Sequence, residues 1–438
     1  MIFDLPSILG FLPLVLYIYL MLKGKDMNLS VLICVLLGAV MTGETITGFG
    51  EVLKGSLSSF LSLIGFIIVL GSGLGEVLTH TKVAQNIVYF VVEKTNIKTE
   101  KQAILISMIT CTLLVSMLGT LSGSVAIVAP ILIPIVSCLG LTPSTLGVIF
   151  HGAAATGLQI GPFVPPVATI MGLTGLTYSS FLLNAGLPMG IIIWGSTYFI
   201  ACRTQKLTRG TEKFDDSYTK ADDFKATKTI NRATFTFIGT MAVMLIYGII
   251  AKAGASYAII VMITASLLTG LSAGMSLTNS IKKMVDGASK MYWMFFMFIL
   301  FDPFLNYVAK SGAFEAISNY MKPLIDVGGV AAFLVIAAAI GVFGISGAGV
   351  AQAQITHELF LPLVTAMSVK MEIWSFIVLV ACQVTFFVSP TVDMVGTMGL
   401  AHSKNIKAML KNGWCLTIIT FIVVIIRAII YARSGSVN

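Results

Sequence analysis

Phe163-Val164-Pro165-Pro166-Val167-Ala168-Thr169-Ile170-Met171-Gly172-Leu173-Thr174-Gly175-Leu176 returns further along the chain as Phe387-Val388-Ser389-Pro390-Thr391-Val392-Asp393-Met394-Val395-Gly396-Thr397-Met398-Gly399-Leu400. The two stretches lie 224 positions apart and agree at Phe, Val, the second Pro, both glycines and the final Leu. Working outward at the same offset, Gln159 falls on Gln383 and Ser122-Gly123 on Ser346-Gly347, with no gap across Ser122 to Leu176. Shared apolar composition gives scattered identities. Phe, Pro, Gln and Gly recurring together at one offset indicate an internal duplication.

The duplicated block sits in a chain of 438 residues that is 57% hydrophobic and 11% charged. Runs of about 20 apolar residues, the length that crosses a bilayer, recur throughout, so the chain reads as a polytopic membrane protein. The opening segment Ile8 to Leu22 lacks a basic start and a small-residue cleavage site, which makes it a membrane helix rather than a signal peptide. The net charge of +8 gives no reason to invoke nucleic acid, because the largest basic cluster, between Arg203 and Arg232, is interleaved with five acidic residues, as in a cytoplasmic loop under the positive-inside rule. The six cysteines are scattered through apolar runs, with neither a disulfide framework nor metal-ligand spacing.

Hydropathy predicts an all-α membrane protein of about 11–12 transmembrane helices. In the first half (1–202) spans fall near 7–22, 28–43, 57–79 and 103–118, followed by an apolar hairpin at 119–140, a broken span at 144–178 and a last span at 184–201. After a polar linker, 203–232, the second half (233–438) repeats the order at 233–251, 256–274, 291–309, 329–343, a hairpin at 344–367, a broken span at 373–401, and 413–430. The loop Thr177 to Leu183 is uncharged, whereas its counterpart carries Lys404, Lys407 and Lys411, which puts the two on opposite sides of the membrane and makes the repeats inverted. An even number of spans per copy argues the reverse. The short apolar stretches 83–93 and 313–327 are the segments that would change that parity.

Two features of each copy carry chemistry. A small-residue cluster, Gly119-Thr120-Leu121-Ser122-Gly123-Ser124 or Gly344-Ile345-Ser346-Gly347-Ala348-Gly349, permits a tight turn and brings backbone polar groups close to a ligand. Pro130 and Pro134 then favour a re-entrant hairpin over a full span. Gly161-Pro162-Phe163-Val164-Pro165-Pro166 and, more mildly, Ser389-Pro390 break helices in mid-span. Backbone groups freed in hydrocarbon are tolerated only where protein or a wet cavity covers them, and such a break presents helix ends to ions and substrates.

Ionisable and amide groups within apolar spans are the remaining candidates. Asp393 stands three residues past Pro390, where the first copy has Thr169, and suits a sodium ion, a proton or a cationic group. Gln159 and Gln383 are candidate substrate contacts at matching offsets. His357 and Glu358 on the far arm of the second hairpin, and Asp302 before Pro303, are proton-relay candidates. Glu76 and His151 read as an interfacial carboxylate and a packed histidine.

With Leu118 to Ser124, the Gly161 to Pro166 break, Val308-Ala309-Lys310-Ser311-Gly312-Ala313, Gly344 to Gly349 and Ser389-Pro390-Thr391, the chain resembles the ion transporter superfamily, in its branch of sodium/proton antiporter-like and gluconate- or amino-acid-type permeases. The resemblance covers nearly the whole chain. It implies inverted repeats, a site between two hairpin tips, and alternating access driven by sodium or protons, often in a homodimer. Carried over by position, Ser122, Gly123, Ser124 and Gly161 would form one substrate and cation half-site, and Ser346, Gly347 and Thr391 the other. The dicarboxylate carriers of the superfamily have Ser-Asn-Thr at these tips, whereas the tips here read Ser-Gly-Ser and Ser-Gly-Ala. That departure and Asp393 favour a substrate with a cationic group or a proton-coupled cycle.

No Walker loop, paired nucleophile and base, or metal-ligand cluster occurs in the sequence, which leaves ATP-driven transport and enzymatic chemistry unsupported. The expected function is cation-coupled secondary transport of a small carboxylate-bearing metabolite, an amino acid ahead of an organic acid, with sodium/proton antiport as the alternative. The expected partners are the small-molecule substrate and membrane lipid. Sodium or a proton is the coupling ion, no cofactor is expected, and the setting is a bacterial inner membrane.

Overall fold

A computed structural model describes residues 7–93, 95, 97–215, 224–343 and 349–435. After a 3-10 turn at Ile8–Phe11 come α1 (Leu12–Leu22), α2 (Met27–Met41), α3 (Ile46–Ser56), α4 (Phe60–His80), α5 (Val83–Glu93), α6 (Glu100–Leu118), α7 (Leu121–Cys138), α8 (Pro143–Ile160) and α9 (Pro165–Thr174). The short α10 (Tyr178–Phe181) passes through a π-turn, Leu182–Gly186, into α11 (Leu187–Thr208). The second half contains α12 (Lys228–Ile250), α13 (Tyr257–Ser272), α14 (Leu277–Ser289), α15 (Tyr292–Lys310) and α16 (Ala313–Ala339). It ends with α17 (Gly349–Ala366), α18 (Met371–Val388), α19 (Val392–Leu400) and α20 (Ile406–Gly435). Nine helices among the described residues are long and apolar enough to cross a membrane, and the protein is an all-α integral membrane protein.

The local chemistry explains many of the boundaries. Thr99 and Gln102 form a reciprocal capping box at the start of α6, and Gly119 ends that helix in the left-handed region at φ 71°. Gly329, at φ 63° and ψ −166°, kinks α16 in a region essentially reserved for glycine. Gly161 and Pro162 end α8, and Pro165 and Pro166 open α9, where a missing N–H is no loss.

The structure departs from the hydropathy reading in four places. First, α3 and α14 are helices that hydropathy did not separate, because Glu51 and Lys54, or Lys282, Lys283 and Asp286, interrupt their apolar character. Second, the stretches 83–93 and 313–327 are helical, as α5 and the first part of α16. Third, the predicted re-entrant hairpins are corrected: α7 and α17 are continuous 18-residue helices with Pro130, Pro134 and Pro362 inside them. Eighteen residues rise about 27 Å, close to the hydrocarbon thickness. A proline removes one helical bond without ending the helix when packing holds both sides. Fourth, the polar linker is shorter than 203–232, since α11 runs to Thr208 and α12 begins at Lys228.

The repeat is also out of register by one turn. Pro143 and Met371 open α8 and α18, and Gly161 and Ser389 cap α8 and α18, each pair 228 positions apart. Sliding a helix by four residues, about one turn, keeps its apolar faces nearly aligned, so composition tolerates either register. At the break the cause is specific. The first copy stops at Gly161-Pro162, leaving Phe163-Val164 outside the helix, whereas the second has no proline until Pro390 and runs on through Phe387-Val388.

Packing relates the two halves by an approximate two-fold. Helix α4 packs on α13 and α14, and its counterpart α15 packs on α2 and α3. Helix α9 lies against α17 and α18, and α19 against α7 and α8. The counterparts α4 and α15 also touch each other. Ser56, just before α4, hydrogen-bonds Asp302 at 3.0 Å, while Gly65 further along α4 meets Phe298 and Phe295 earlier in α15. The two therefore run antiparallel, as an inverted duplication requires.

Small residues let the halves approach. A Cβ on Gly73 would lie 2.6 Å from the Met284 carbonyl, and one on Gly287 would lie 2.6 Å from the Ser72 carbonyl. The Ser72 hydroxyl donates to the Gly287 carbonyl at 2.8 Å across the same crossing. Contacts of this kind replace the hydrophobic drive that lipid does not supply.

Candidate functional site

The crossed placement of α9 and α19 decides which residues meet. Helix α19 starts at Thr391, whose hydroxyl accepts from the Met394 N–H at 3.0 Å and caps the helix. Asp393 follows in the first turn, near the positive end of the helix dipole. Helix α7 opens just after the Gly119-Thr120 turn, which presses against the other break: a Cβ on Gly119 would lie 3.3 Å from Pro165 Cδ. The first turn of α7 then presents Ser122, whose Oγ donates to Asp393 Oδ1 at 2.9 Å. Gly396, one turn along α19, borders the same contact, where a Cβ would lie at an ordinary van der Waals distance of 3.5 Å from Ser122 Oγ.

Among the described residues Asp393 has no salt-bridge partner. A half-buried carboxylate held by one neutral hydroxyl has an acceptor face open to a cation or a proton. The carboxylate belongs to the second copy alone. By helix position its counterpart in α9 is Pro166, the second residue of that helix as Asp393 is of α19.

The other predicted residues are distributed as follows. Ser124 is buried and donates to the Thr120 carbonyl at 2.5 Å, so its hydroxyl serves its own helix. Gly123 is exposed beside Thr120, whose Oγ1 lies 2.8 Å from where its Cβ would be. Gly161 is where α8 ends against α6: its Cβ would lie 2.6 Å from the Ser116 carbonyl, so it permits a close backbone approach. The carbonyl of Ile160 freed by this break accepts from Tyr178 Oη at 2.6 Å. Ser346 and Gly347 lie outside the described residues, so the second tip is not placed.

Gln159 and Gln383 are fully buried in α8 and α18, and neither amide has a hydrogen-bond partner among the described residues. Buried amides left unpaired are costly, about 1–3 kcal/mol each, and mark a place that water or a ligand completes. His151, which shares a face of α8 with Ala155 and lies two turns before Gln159, is also fully buried. Its ring stands edge-on to Phe387 with centroids 5.3 Å apart, close to the Phe386 backbone. Phe387 is one turn beyond Gln383 on the same face of α18.

The relay candidates separate into two environments. His357 Nδ1 accepts from Trp374 Nε1 at 3.1 Å inside an aromatic cluster with Phe333 and Phe360. Its position is that of a packed residue. Asp302 instead accepts from Ser56 at 3.0 Å and from Asn306 at 3.1 Å, and Glu358 accepts from Gln354 at 3.2 Å, with Asp302 and Glu358 near enough to interact electrostatically.

Sequence reasoning missed two polar groups. Arg427, within the apolar run of α20, donates from Nη1 to the Asn184 carbonyl at 2.7 Å and lies 4.1 Å over the Phe376 ring, clamping the π-turn before α11. The signal was a lone Arg in a span. Asn412 of α20 is fully buried with neither amide atom partnered among the described residues. Its signal was an amide that ends the Lys404 to Lys411 cluster.

Residues 5–180 match the model of the Na+/H+ antiporter family. The crystal structure of the YdaH transporter of Alcanivorax borkumensis, described as having an unusual topology, superposes with a TM-score of 0.64 at 14% identity, covering 89% of this chain and 90% of that one. The fold is that of a membrane transporter. No match was found among curated proteins. Both likenesses are to carriers, and the first covers the half that supplies Ser122, Gln159 and Gly161.

Proposed function

We propose that this protein is a cation-coupled secondary transporter of the sodium/proton antiporter kind, residing in an energised bacterial inner membrane, in which Asp393 carries sodium and a proton by turns. One observation carries the reading. The Asp393 carboxylate is held by Ser122 of the opposite repeat at 2.9 Å and, among the described residues, has no basic partner. Occupancy by sodium excludes occupancy by a proton at one carboxylate, and that exclusion is what obligatory exchange needs. Helix α19 touches α7 and α8 of the other repeat, so a change in the charge of Asp393 is felt where the halves meet. The match of residues 5–180 to the antiporter family model supports the same reading.

A second reading, symport of a small carboxylate-bearing metabolite with an amino acid ahead of an organic acid, has its own support. The unpartnered amides of Gln159 and Gln383 would serve an organic ligand, and a bare ion exchanger has less need of them. One experiment separates the two. Purified protein in liposomes containing a pH-sensitive dye is challenged with a sodium pulse, and labelled amino and organic acids are offered in parallel. Proton efflux on sodium alone, with no acid taken up, supports antiport. Sodium-dependent uptake of an acid without proton movement on sodium alone would establish symport and overturn the antiport reading.

A further inference from the structure

Between the C-terminal end of α11 and the start of α20 lies a cavity of about 240 Å3. Arg203, Lys407 and Lys411 line it, and no acidic residue does. Among the described residues none of the three is in a salt bridge. Asn412 forms part of the same lining, fully buried, with both its amide oxygen and its amide nitrogen unpartnered. Ile200 and Leu207 supply an apolar wall beside these polar groups.

Three cations facing one small volume repel one another, and a buried amide without a partner is destabilising. An anion relieves both. A tetrahedral phosphoester has the charge to neutralise the cations, acceptors for their N–H groups and for the Asn412 amide, and the size for such a volume. The apolar wall and the position at the basic rim of the membrane add a surface for a hydrocarbon tail.

We propose that this cavity is a binding site for a phosphoester anion, supplied either by the headgroup of an anionic phospholipid or by a soluble phosphoester. Because α11 closes the first repeat and α20 the second, the bound anion holds the two halves together at this face. Positive residues near a membrane rim are general, but a cavity with an unpartnered buried amide in its lining is not a consequence of the positive-inside rule.

The test uses purified, delipidated protein in detergent. Thermal unfolding is followed with added dioleoylphosphatidylglycerol, with dioleoylphosphatidylcholine, and with glycerol phosphate alone. Phosphatidylglycerol is expected to raise the midpoint by several degrees more than phosphatidylcholine, and the combined Arg203→Gln, Lys407→Gln and Lys411→Gln variant to lose that difference. A shift with phosphatidylglycerol only assigns the site to lipid, and an equal shift with glycerol phosphate assigns it to a soluble anion. Equal responses to the two lipids with none to glycerol phosphate would overturn the proposal. If the triple variant does not fold, native mass spectrometry compares Lys411→Gln, an exposed position, with Lys206→Gln, an exposed cation in the last turn of α11 outside the cavity lining. Lys411→Gln should lower retention of phosphatidylglycerol several-fold and Lys206→Gln should not. Equal loss in both, or in neither, would show that no specific site exists.

Discussion

Replacing Ser122 by Ala tests whether the contact with Asp393 belongs to the ion cycle. The substitution removes one hydrogen bond of 2.9 Å to a charged group and little volume, since Ser122 is only half-buried. Hydrogen bonds to charged groups contribute about 1.5–3 kcal/mol. With tenfold in affinity per about 1.4 kcal/mol, sodium half-saturation should rise roughly ten- to a hundredfold. Asp393→Asn removes the charge altogether and should abolish sodium-driven proton movement while leaving the folded fraction unchanged. The double variant should then be no worse than Asp393→Asn alone, because the two side chains act through one contact. In the wild type, sodium and protons compete for the carboxylate, so in the range where it is mostly protonated half-saturation should rise about tenfold for each unit of pH lost. The assay is dye-reported proton flux in liposomes across a sodium titration at several pH values. Wild-type exchange in Asp393→Asn, or independent effects of the two substitutions, would refute the reasoning.

Gly287→Ala should destabilise by about 1–3 kcal/mol, because the new Cβ would meet the Ser72 carbonyl at 2.6 Å and the Glu76 Cβ at 2.5 Å; a lowered unfolding midpoint checks this. Trp374→Phe should leave His357 Nδ1 buried without its donor at a cost of about 1–3 kcal/mol, while transport per folded molecule stays normal. A large loss of transport there would restore His357 as a relay. Changing both Pro165 and Pro166 to Ala should cost about 0.4–1 kcal/mol per site, since they already fit the first turn of α9, and denaturant midpoints report it.

The membrane class, both helix breaks and the placement of Asp393 beside the second break were legible because each leaves a local mark: an apolar run, a proline, a carboxylate where hydrocarbon should be. Helices α3 and α14 were not, since lysines and acids on one face dilute an average over the whole window. Pro130 and Pro134 misled in the opposite direction, because tertiary packing decides whether a helix survives a missing hydrogen bond. The union of Ser122 with Asp393 lies beyond any local pattern. It follows from α19 crossing onto α7, a contact between halves that no stretch of either half encodes alone. The unpaired amides of Gln159, Gln383 and Asn412 became visible only as an absence of partners in three dimensions.

The crossing of α9 and α19 also sets a timetable for biosynthesis. Ser122 and Asp393 are separated by 271 residues, which a ribosome adding about 5–20 residues per second takes roughly 15–55 s to span. Through that interval the grooves on α7 and α8 that will receive α19 are already inserted and empty, and α9 waits for α17 and α18. The first half cannot mature ahead of the second. A nascent chain halted before α17 should therefore stay open to proteolysis around Gly119 and Gly161, and a cysteine pair at 122 and 393 should cross-link only once α19 has left the translocon.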